Sequence, residues 1–421
     1  MPARPTQSGN SKEERLDDIL NNVAKVFNDY GAYGLNISDI SKQIGLTRST
    51  LYKYVSDRDE LIFRSYQNTV RTFADYLHRA DEVGRSGLDK VLKFVELCLD
   101  SDGQLLAVLA DTHTLPKKYR TKVERADHQN DVRLESFIQQ GIEDGSIRSC
   151  RTDLACHAIA GIVACSGIRY WMPSPNSAPS SQNPRTQSSD MNTVIELLER
   201  GIGSDEYVGQ TRFPVDATPV SQPLRNPFGR SELHNMKNDY ILTISSRLFN
   251  RFGVESTSLE DVANKIGVSK AVLYNYITNK NDLLVKCYDR ALDLYERYVD
   301  QAESVGRFGL EKALMPLHLN IQAQMLGLSP LILISRTFGL ENDDRSAIGR
   351  RAQAFVGRIN ALCAEGIKDG SIVMQDYKTA VLASSGAVSW LPRRANPELA
   401  SMPRLVANEY VKLFAQGLKK R

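Results

Sequence analysis

Two stretches of the chain, residues 42–58 and 264–280, concentrate side chains that could bind an anionic, hydrogen-bonding partner. The first holds four cationic residues against one aspartate, and the second holds three lysines and no acid. Because each excess equals the net charge of +3 of the whole chain, positive charge is concentrated on these two segments. Such side chains hydrogen-bond to phosphate oxygens and base edges of duplex DNA. A solvated helix face is the alternative, and one stretch alone would leave both interpretations open.

A second cluster, Cys150, Cys156, His157 and Cys165, could suggest a metal or redox site. Its spacing fits no zinc pattern, and the adjacent Cys156 and His157 point to different faces of a helix. The chain has no glycine-rich phosphate loop, Gly-x-Ser-x-Gly or His-Glu-x-x-His motif. We therefore expect no metal site, no cofactor and no enzyme.

Composition bounds the class of protein. The chain has 421 residues, of which 42% are hydrophobic and 24% charged, as in soluble globular proteins of two to four domains. A net charge of +3 does not by itself indicate nucleic acid. The nearly apolar stretch 154–168 is shorter than the roughly 20 residues that a bilayer requires. No secretion signal is evident and six cysteines are scattered, so we expect a cytoplasmic protein with reduced thiols and no membrane partner.

The chain repeats itself. Residues 38–62 read SDISKQIGLTRSTLYKYVSDRDELI, and residues 260–284 read EDVANKIGVSKAVLYNYITNKNDLL, in register without a gap. The match continues at GIEDGSI (141–147) and GIKDGSI (366–372). A repeat of this length indicates a duplicated domain and not a solenoid unit.

Both copies have the pattern of a helical fold. Apolar residues recur at i, i+3 and i+4 over 16–27 and 240–252, and no segment alternates apolar and polar residues between turns. We expect an all-α protein. The Pro/Ser/Asn-rich segment 173–189 predicts a mobile loop. The proline-bearing segment 204–230 predicts an extended linker between the copies.

The basic stretches have the local signals of a helix-turn-helix. In the second copy, Ser258 and Asp261 have capping-box spacing, Gly267 stands where a helix must stop and turn, and Ser269 can cap the next helix. The first copy repeats these signals, and a further cap pair opens the next helix in each copy. These residues are Asn36, Asp39, Gly45 and Thr47, then Asp57 with Glu60 and Asn279 with Asp282.

The pattern Asp-Ile/Val-x-x-x-Ile-Gly-Leu/Val-Thr/Ser-x-x-x-Leu-Tyr-x-Tyr, followed by Asp/Asn-Arg/Lys-x-Glu/Asp-Leu, resembles the DNA-binding domain of the tetracycline-repressor (TetR) family of bacterial regulators. The resemblance covers about 45 residues in each copy. Family members usually carry one such domain and act as homodimers, so this chain resembles two of them fused. Val55 and Ile277 stand where the family usually has Phe, Ser41 replaces a usual Ala, and Asp57 places a carboxylate in a cap position near phosphate.

The fused arrangement predicts the following domains. They are an N-terminal arm (1–11), a first helix-turn-helix domain (12–58), a first helical regulatory domain (59–203), the linker (204–230), a second helix-turn-helix domain (231–280) and a second helical regulatory domain (281–421).

The second helix of a helix-turn-helix enters the major groove with its N-terminal residues facing the bases. The predicted base-side residues are Thr47, Arg48, Ser49 and Lys53 in the first copy, and Ser269, Lys270, Ala271 and Asn275 in the second. The predicted phosphate-side residues are Tyr52, Tyr54, Arg58, Tyr274, Tyr276 and Lys280. Packing against the first helix is the alternative for Tyr52 and Tyr274. Because the two helices differ, TRSTLYKY against SKAVLYNY, we expect unlike half-sites about one helical turn apart.

Small residues recur over 153–170 and 379–389, as at close helix crossings. In the family the last two helices form a four-helix dimer interface. The resemblance therefore favours an intramolecular pseudo-dimer over pairing of each half with another chain. It also implies an effector pocket within 61–170 and 283–389. Six polar or aromatic residues are candidate handles, meaning side chains that could contact the effector, although a core or surface role is the favoured interpretation of each one. These handles are His113, Tyr119, Trp171, His318, Arg336 and Trp390.

The sequence thus predicts a sequence-specific regulator of transcription that binds an operator in double-stranded DNA and acts as a ligand-responsive repressor. The alternative is a helical scaffold that binds a small molecule or a protein and in which one or both helix-turn-helix domains, or heads, are degenerate. Asp57 and Val55 would make the first head the degenerate one.

Overall fold

The structure is a computed structural model that describes residues 10–32, 35–100, 106–166, 184–221, 229–332, 340, 342–394 and 396–421. Within these residues the chain forms α-helices, one 3-10 turn and two isolated β-bridges, with no strand. The prediction of an all-α fold is confirmed. No helix in the described ranges is long and apolar enough to cross a membrane.

The first unit ends at residue 203, and its described residues form eight helices. They are α1 (Asn10–Tyr30), α2 (Ile37–Gln43), α3 (Arg48–Leu51), α4 (Arg58–Val83), α5 (Gly87–Leu99), α6 (Lys117–Asp144), α7 (Thr152–Ser166) and α8 (Pro184–Arg200). The 3-10 turn (Thr112–Thr114) lies between α5 and α6.

Two short helices follow, and the second unit then repeats the order of the first. The short helices are α9 (Asp205–Val208) and α10 (Ala217–Ser221). The second unit contains α11 (Arg230–Phe252), α12 (Leu259–Ile266), α13 (Lys270–Leu273), α14 (Lys280–Val305), α15 (Gly309–Met325), α16 (Asn342–Asp369), α17 (Tyr377–Arg394), α18 (Pro397–Ala400) and α19 (Pro403–Gln416).

Each unit begins with a three-helix head that packs on the start of a long helix. In the first head, Phe27, Ile40 and Leu51 form a core with residues of α4. The second head repeats this core with Phe249, Val262 and Leu273 against α14. The aliphatic Val55 and Ile277 are also buried in these cores, so each fills the position where the related sequences usually have a ring.

The bundles of the two units share one hydrophobic core, which draws buried residues from α5 to α8 and from α15 to α19. One of its close points is the crossing of α7 and α17. A β-carbon added to Gly161 would lie 2.8 Å from the Cα of Ala387 and 3.0 Å from the carbonyl oxygen of Gly386. The small residues noted in the sequence thus let two helix backbones approach closely.

The units also exchange backbone hydrogen bonds in a reciprocal way. After α8, the N–H of Ile202 donates to Phe414 O, and Val373 N donates to Ile202 O. After α19, the N–H of Leu418 donates to Leu198 O, and Arg148 N donates to Leu418 O. The end of each unit's last long helix is therefore tied to the α6–α7 or α16–α17 connection of the other unit. An isolated β-bridge lies at each tie, Ile147 with Lys419 and Gly203 with Ile372.

A half-buried ion pair crosses between the units at one further place. Arg394, near the end of α17, binds the carboxylates of Asp127 and Asp131 on α6, at 2.9 Å in the case of Asp127. Burial raises the pKa of Asp127 even though the guanidinium opposes that change. Removal of Arg394 would leave two carboxylates in a poorly solvated place.

The predicted extended linker is wrong for its described part. Residues 204–221 pack on the second unit, and Ala217 is fully buried. The Ser221 Oγ lies 2.8 Å from the Tyr298 hydroxyl, and Arg404 binds Asp216 at 2.7 Å. The physical reason is that apolar residues stand between the prolines, and their burial outweighs the preference of proline for extended chain.

Two predicted boundaries also change. Helix α8 begins at Pro184, inside the segment predicted to be a loop, because proline is well tolerated in the first turn of a helix. The remainder of that segment, 173–183, lies outside the described residues. Helix α1 begins at Asn10, within the predicted arm, and residues 1–9 lie outside the described part.

The α7–α17 crossing predicts the effect of adding one methyl group. Gly161→Ala should lower the free energy of unfolding by about 1–3 kcal/mol, because the added carbon meets backbone that cannot move aside cheaply. In α16, Gly349 has nothing within 4 Å of its added β-carbon. Gly349→Ala is the matched control and should raise stability by roughly 0.5–1 kcal/mol. Urea unfolding measures both, and equal gains in the two variants would contradict the close crossing.

Candidate nucleic-acid interface

The second helix of each head is short and is held at both ends by local interactions. The Thr47 Oγ1 accepts the N–H of Thr50 at 3.1 Å, and the Ser269 Oγ accepts the N–H of Val272 at 3.4 Å. Leu51 and Leu273 are fully buried and anchor α3 and α13 to their heads. The rest of each helix is thereby turned outward.

The turns before these helices require glycine. Gly45 and Gly267 have φ of 69° and 82°, in the left-handed region that residues with a β-carbon rarely adopt. The helices before the turns begin with complete capping boxes, Asn36 with Asp39 and Ser258 with Asp261. The local signals of the sequence therefore correspond to real structure in both copies.

The residues predicted to face bases are exposed in both heads. They are Thr47, Arg48, Ser49 and Lys53 on the first head, and Ser269, Lys270, Ala271 and Asn275 on the second. The hydroxyl of Thr47 is already engaged in capping and lies 2.9 Å from Ser49 Oγ. Arg48, Lys53, Lys270 and Asn275 are the long polar side chains on these two faces.

The tyrosines divide into an exposed pair and a half-buried pair. Tyr52 is 46% exposed and Tyr274 is 48% exposed, so neither is packed away against the first helix. The Lys270 Nζ lies 6.0 Å above the Tyr274 ring. Tyr54 and Tyr276 are half-buried, and Tyr276 stacks on the His234 ring at 4.8 Å between centroids.

Arg58 and Lys280 have partners inside their own heads. The Arg58 Nε donates to Leu35 O at 2.6 Å, and its Nη2 donates to Ala32 O at 2.7 Å. The Lys280 Nζ lies 3.4 Å from Glu255 O, and burial lowers the pKa of this lysine. Both cations close the loop that enters the helix-turn-helix. Phosphate contact by either one stays a prediction.

Two residues that were not predicted from the sequence tie each head to its own bundle. The Asn28 Nδ2 donates to Leu106 O at 2.8 Å, and its Oδ1 accepts Val108 N at 2.8 Å. In the second unit, Asn250 makes the same pair of bonds, to Pro330 O and from Ile332 N, both at 2.9 Å. The signal was available, because Asn28 and Asn250 are identical at the register of the repeat.

The candidate ligand handles lie in different surroundings. Fully buried His318 has both ring nitrogens hydrogen-bonded, to Asn408 and Gln322, and stacks on Phe213. Tyr119 stacks on Phe63 with centroids 4.4 Å apart. These two side chains have the packing role that the sequence favoured.

The other handles are Trp390, His113, Trp171 and Arg336. Trp390 is buried in a small cluster with Val108 and Ala110. His113 faces the Phe252 ring of the second head at 5.2 Å. Trp171 and Arg336 lie outside the described residues.

Two grooves lie at equivalent places in the two units, where the first helix of the head meets the long fourth helix. The groove between α11 and α14 has a volume of about 510 Å³, and the groove beside α1, α4 and α6 has about 580 Å³. None of the described handles lines either groove. No group of three or more metal-ligating side chains occurs among the residues that were placed.

Two family models match parts of the chain. A family model described as "Bacterial regulatory proteins, tetR family" matches residues 241–287, and one described as "Tetracyclin repressor-like, C-terminal domain" matches residues 89–173. Both matched segments are those of TetR-family transcriptional regulators. The N-terminal model lies in the second unit and the C-terminal model in the first.

Two similar curated proteins are described as HTH-type transcriptional regulators. The regulator HbdR of Aromatoleum sp. (strain CIB) is 23% identical over 163 residues, which are 38% of this chain and 71% of HbdR. The negative regulator IcaR of the biofilm operon in Staphylococcus epidermidis is 23% identical over 25% of this chain and 58% of IcaR. The crystal structure of PfmR from Thermus thermophilus covers 44% of this chain and 97% of PfmR, at 20% identity and a TM-score of 0.34.

His318 predicts a pH dependence of the stability of this protein. Burial lowers its pKa to about 4 in the folded chain. The unfolded chain binds the proton near pH 6.5, so stability is fully present above that pH and is lost as the pH falls toward 4. His318→Gln should remove up to about 3 kcal/mol of this loss.

The control is His78→Gln, because the His78 side chain is 68% exposed. The free energy of unfolding, measured with urea between pH 7 and pH 4, should fall less with decreasing pH in His318→Gln than in the wild type or His78→Gln. Parallel curves for all three would show that the ring does not stay neutral in the core.

Proposed function

We propose that this TetR-family regulator uses two unlike recognition helices of one chain to bind two unlike half-sites of an operator. The observation that carries the proposal is that α3 and α13 are both exposed, in identical frames, with different side chains. Arg48 presents a guanidinium that suits a guanine. Two residues past the end of α13, Asn275 presents an amide that suits an adenine. Each half-site would then be read by one head only.

The proposal includes an intramolecular pseudo-dimer. Its support is the shared core of α7, α8, α17 and α19, together with the reciprocal backbone bonds after α8 and α19. The Arg394 ion pair adds a polar link between the units. Interfaces of this kind, apolar inside and self-complementary, are what a two-fold dimer of a single-unit regulator would form between chains.

We further propose that the regulator represses transcription and releases DNA when a small molecule binds to a bundle. Each head is tied to its bundle by an asparagine, Asn28 or Asn250, so a change in the bundle has a direct route to the head. The name of IcaR, a negative regulator, agrees with repression.

The test is selection of duplex DNA from a random library by the full chain, followed by binding measurements on the selected site. Arg48→Ala should weaken binding and relax sequence preference in one half-site, and Asn275→Ala should do so in the other. Each loss should be about 1–3 kcal/mol, the usual value of one bidentate base contact.

Lys412→Ala is the matched control, since it removes an exposed cation from α19, far along the chain from either head. It should leave both affinity and preference unchanged. Affinity should also fall linearly with salt on logarithmic axes. Failure to enrich any sequence, with binding insensitive to salt, would reject the regulator and favour the scaffold with degenerate heads.

A further inference from the structure

The connection between α5 and α6 of the first unit, residues 106–115, touches both reading heads. It is held to the first head by Asn28 and by Asp111, whose Oδ2 accepts the N–H of Ala32 at 2.9 Å. Asp111 is 4% exposed, and its own N–H lies 3.3 Å from the hydroxyl of Tyr66 on α4. One side of this connection is therefore fixed to the end of α1.

The other side of the connection meets the end of α11 in the second head. A β-carbon built on Gly253 would lie 3.6 Å from the Asp111 Oδ1. The ring centroids of His113 and Phe252 are 5.2 Å apart. Ala32 and Gly253 follow the first helix of each head, so the equivalent ends of α1 and α11 converge on a single carboxylate.

Further packing holds the connection in place. Val108 and Ala110 are buried against Trp390 of α17, and the Thr69 Oγ1 of α4 donates to Ala107 O at 3.0 Å. The segment is thus supported by both bundles as well as by both heads. A displacement of its backbone would have to move at least one head.

The second copy lacks the residues for an equivalent contact. Its corresponding stretch, 333–340, reads LISRTFGL and contains neither an acid nor a histidine. That stretch has an arginine and a serine where the first copy has Asp111 and its neighbours. The carboxylate that lies between the heads is therefore specific to the first unit.

We infer that Asp111, with His113, is a positioning residue that sets the separation of the two heads and so the half-site spacing that the protein prefers. The inference rests on the proposed function, because spacing matters only if both heads bind one duplex. The Asp111 carboxylate holds the first head through its hydrogen bond to Ala32. It limits how closely the second head can approach at Gly253. The His113–Phe252 contact keeps the second head against it.

The test measures head separation without DNA, in the full chain. Spin labels on a ketone-bearing amino acid at Gln43 and Lys265, exposed positions near the ends of α2 and α12, report the distance by pulsed electron resonance. Asp111→Ala and Phe252→Ala act from opposite sides of the contact. Each should broaden the distance distribution, and the double variant should broaden it little further, because the two residues act on one contact.

Thr112→Ala is the matched control, since it changes the same connection but keeps every contact named above. It should retain the wild-type distribution. Unchanged distributions in both Asp111→Ala and Phe252→Ala would overturn the inference, whether or not the protein binds DNA.

A second readout uses the selected operator with its half-sites moved apart in single base-pair steps. The preference of the wild-type protein for its best spacing should fall roughly tenfold in Asp111→Ala, as expected for loss of one buried hydrogen bond to a charged group. Affinity for each half-site alone should stay unchanged, which separates loss of spacing from damage to a head. Weaker binding to one half-site with the spacing preference intact would assign Asp111 a purely structural role.

Discussion

The close crossing of α7 and α17 is the constraint on which the rest of the arrangement depends. Because Gly161 has no β-carbon, the backbone of α7 can approach that of α17 at Ala387 directly. The flanking helices α8 and α19 complete the packing around this crossing. The reciprocal backbone bonds at the ends of α8 and α19 join the two units beside this crossing. Because this packing fixes the bundles, the long helices α4 and α14, which connect each bundle to its head, set the position of each head.

Local chemistry explains why the heads could be predicted from sequence and the contacts between units could not. Capping boxes, positive-φ glycines and a buried leucine are set within a few residues, as at Ser258, Asp261 and Gly267. The roles of Asn28 and Asp111 depend on partners about 80 residues away. The repeat marks Asn28 as a matched position, but no local pattern identifies the partners of either residue. The linker was mispredicted because its prolines favour an extended chain, whereas apolar residues between them pack on the second unit. Phe213 and Val215 are two of these residues.

Two similar units in one chain remove a restriction that applies to a homodimer. Two identical chains must present the same recognition helix twice, whereas here α3 and α13 differ on their exposed faces while Leu51 and Leu273 provide the same buried anchor. The units also differ at residues 106–115, because the corresponding stretch of the second unit's sequence, 333–340, has no acid. The two heads keep the same frame, while their exposed faces and this connection differ.

The central claim is that one polypeptide supplies both reading heads to one duplex, and the most direct measurement is the mass of the protein–DNA complex. Native mass spectrometry on a duplex with the two selected half-sites should show one chain of 47.0 kDa per duplex. Two chains per duplex at every protein concentration would contradict the account, because each unit would then be pairing with a second molecule.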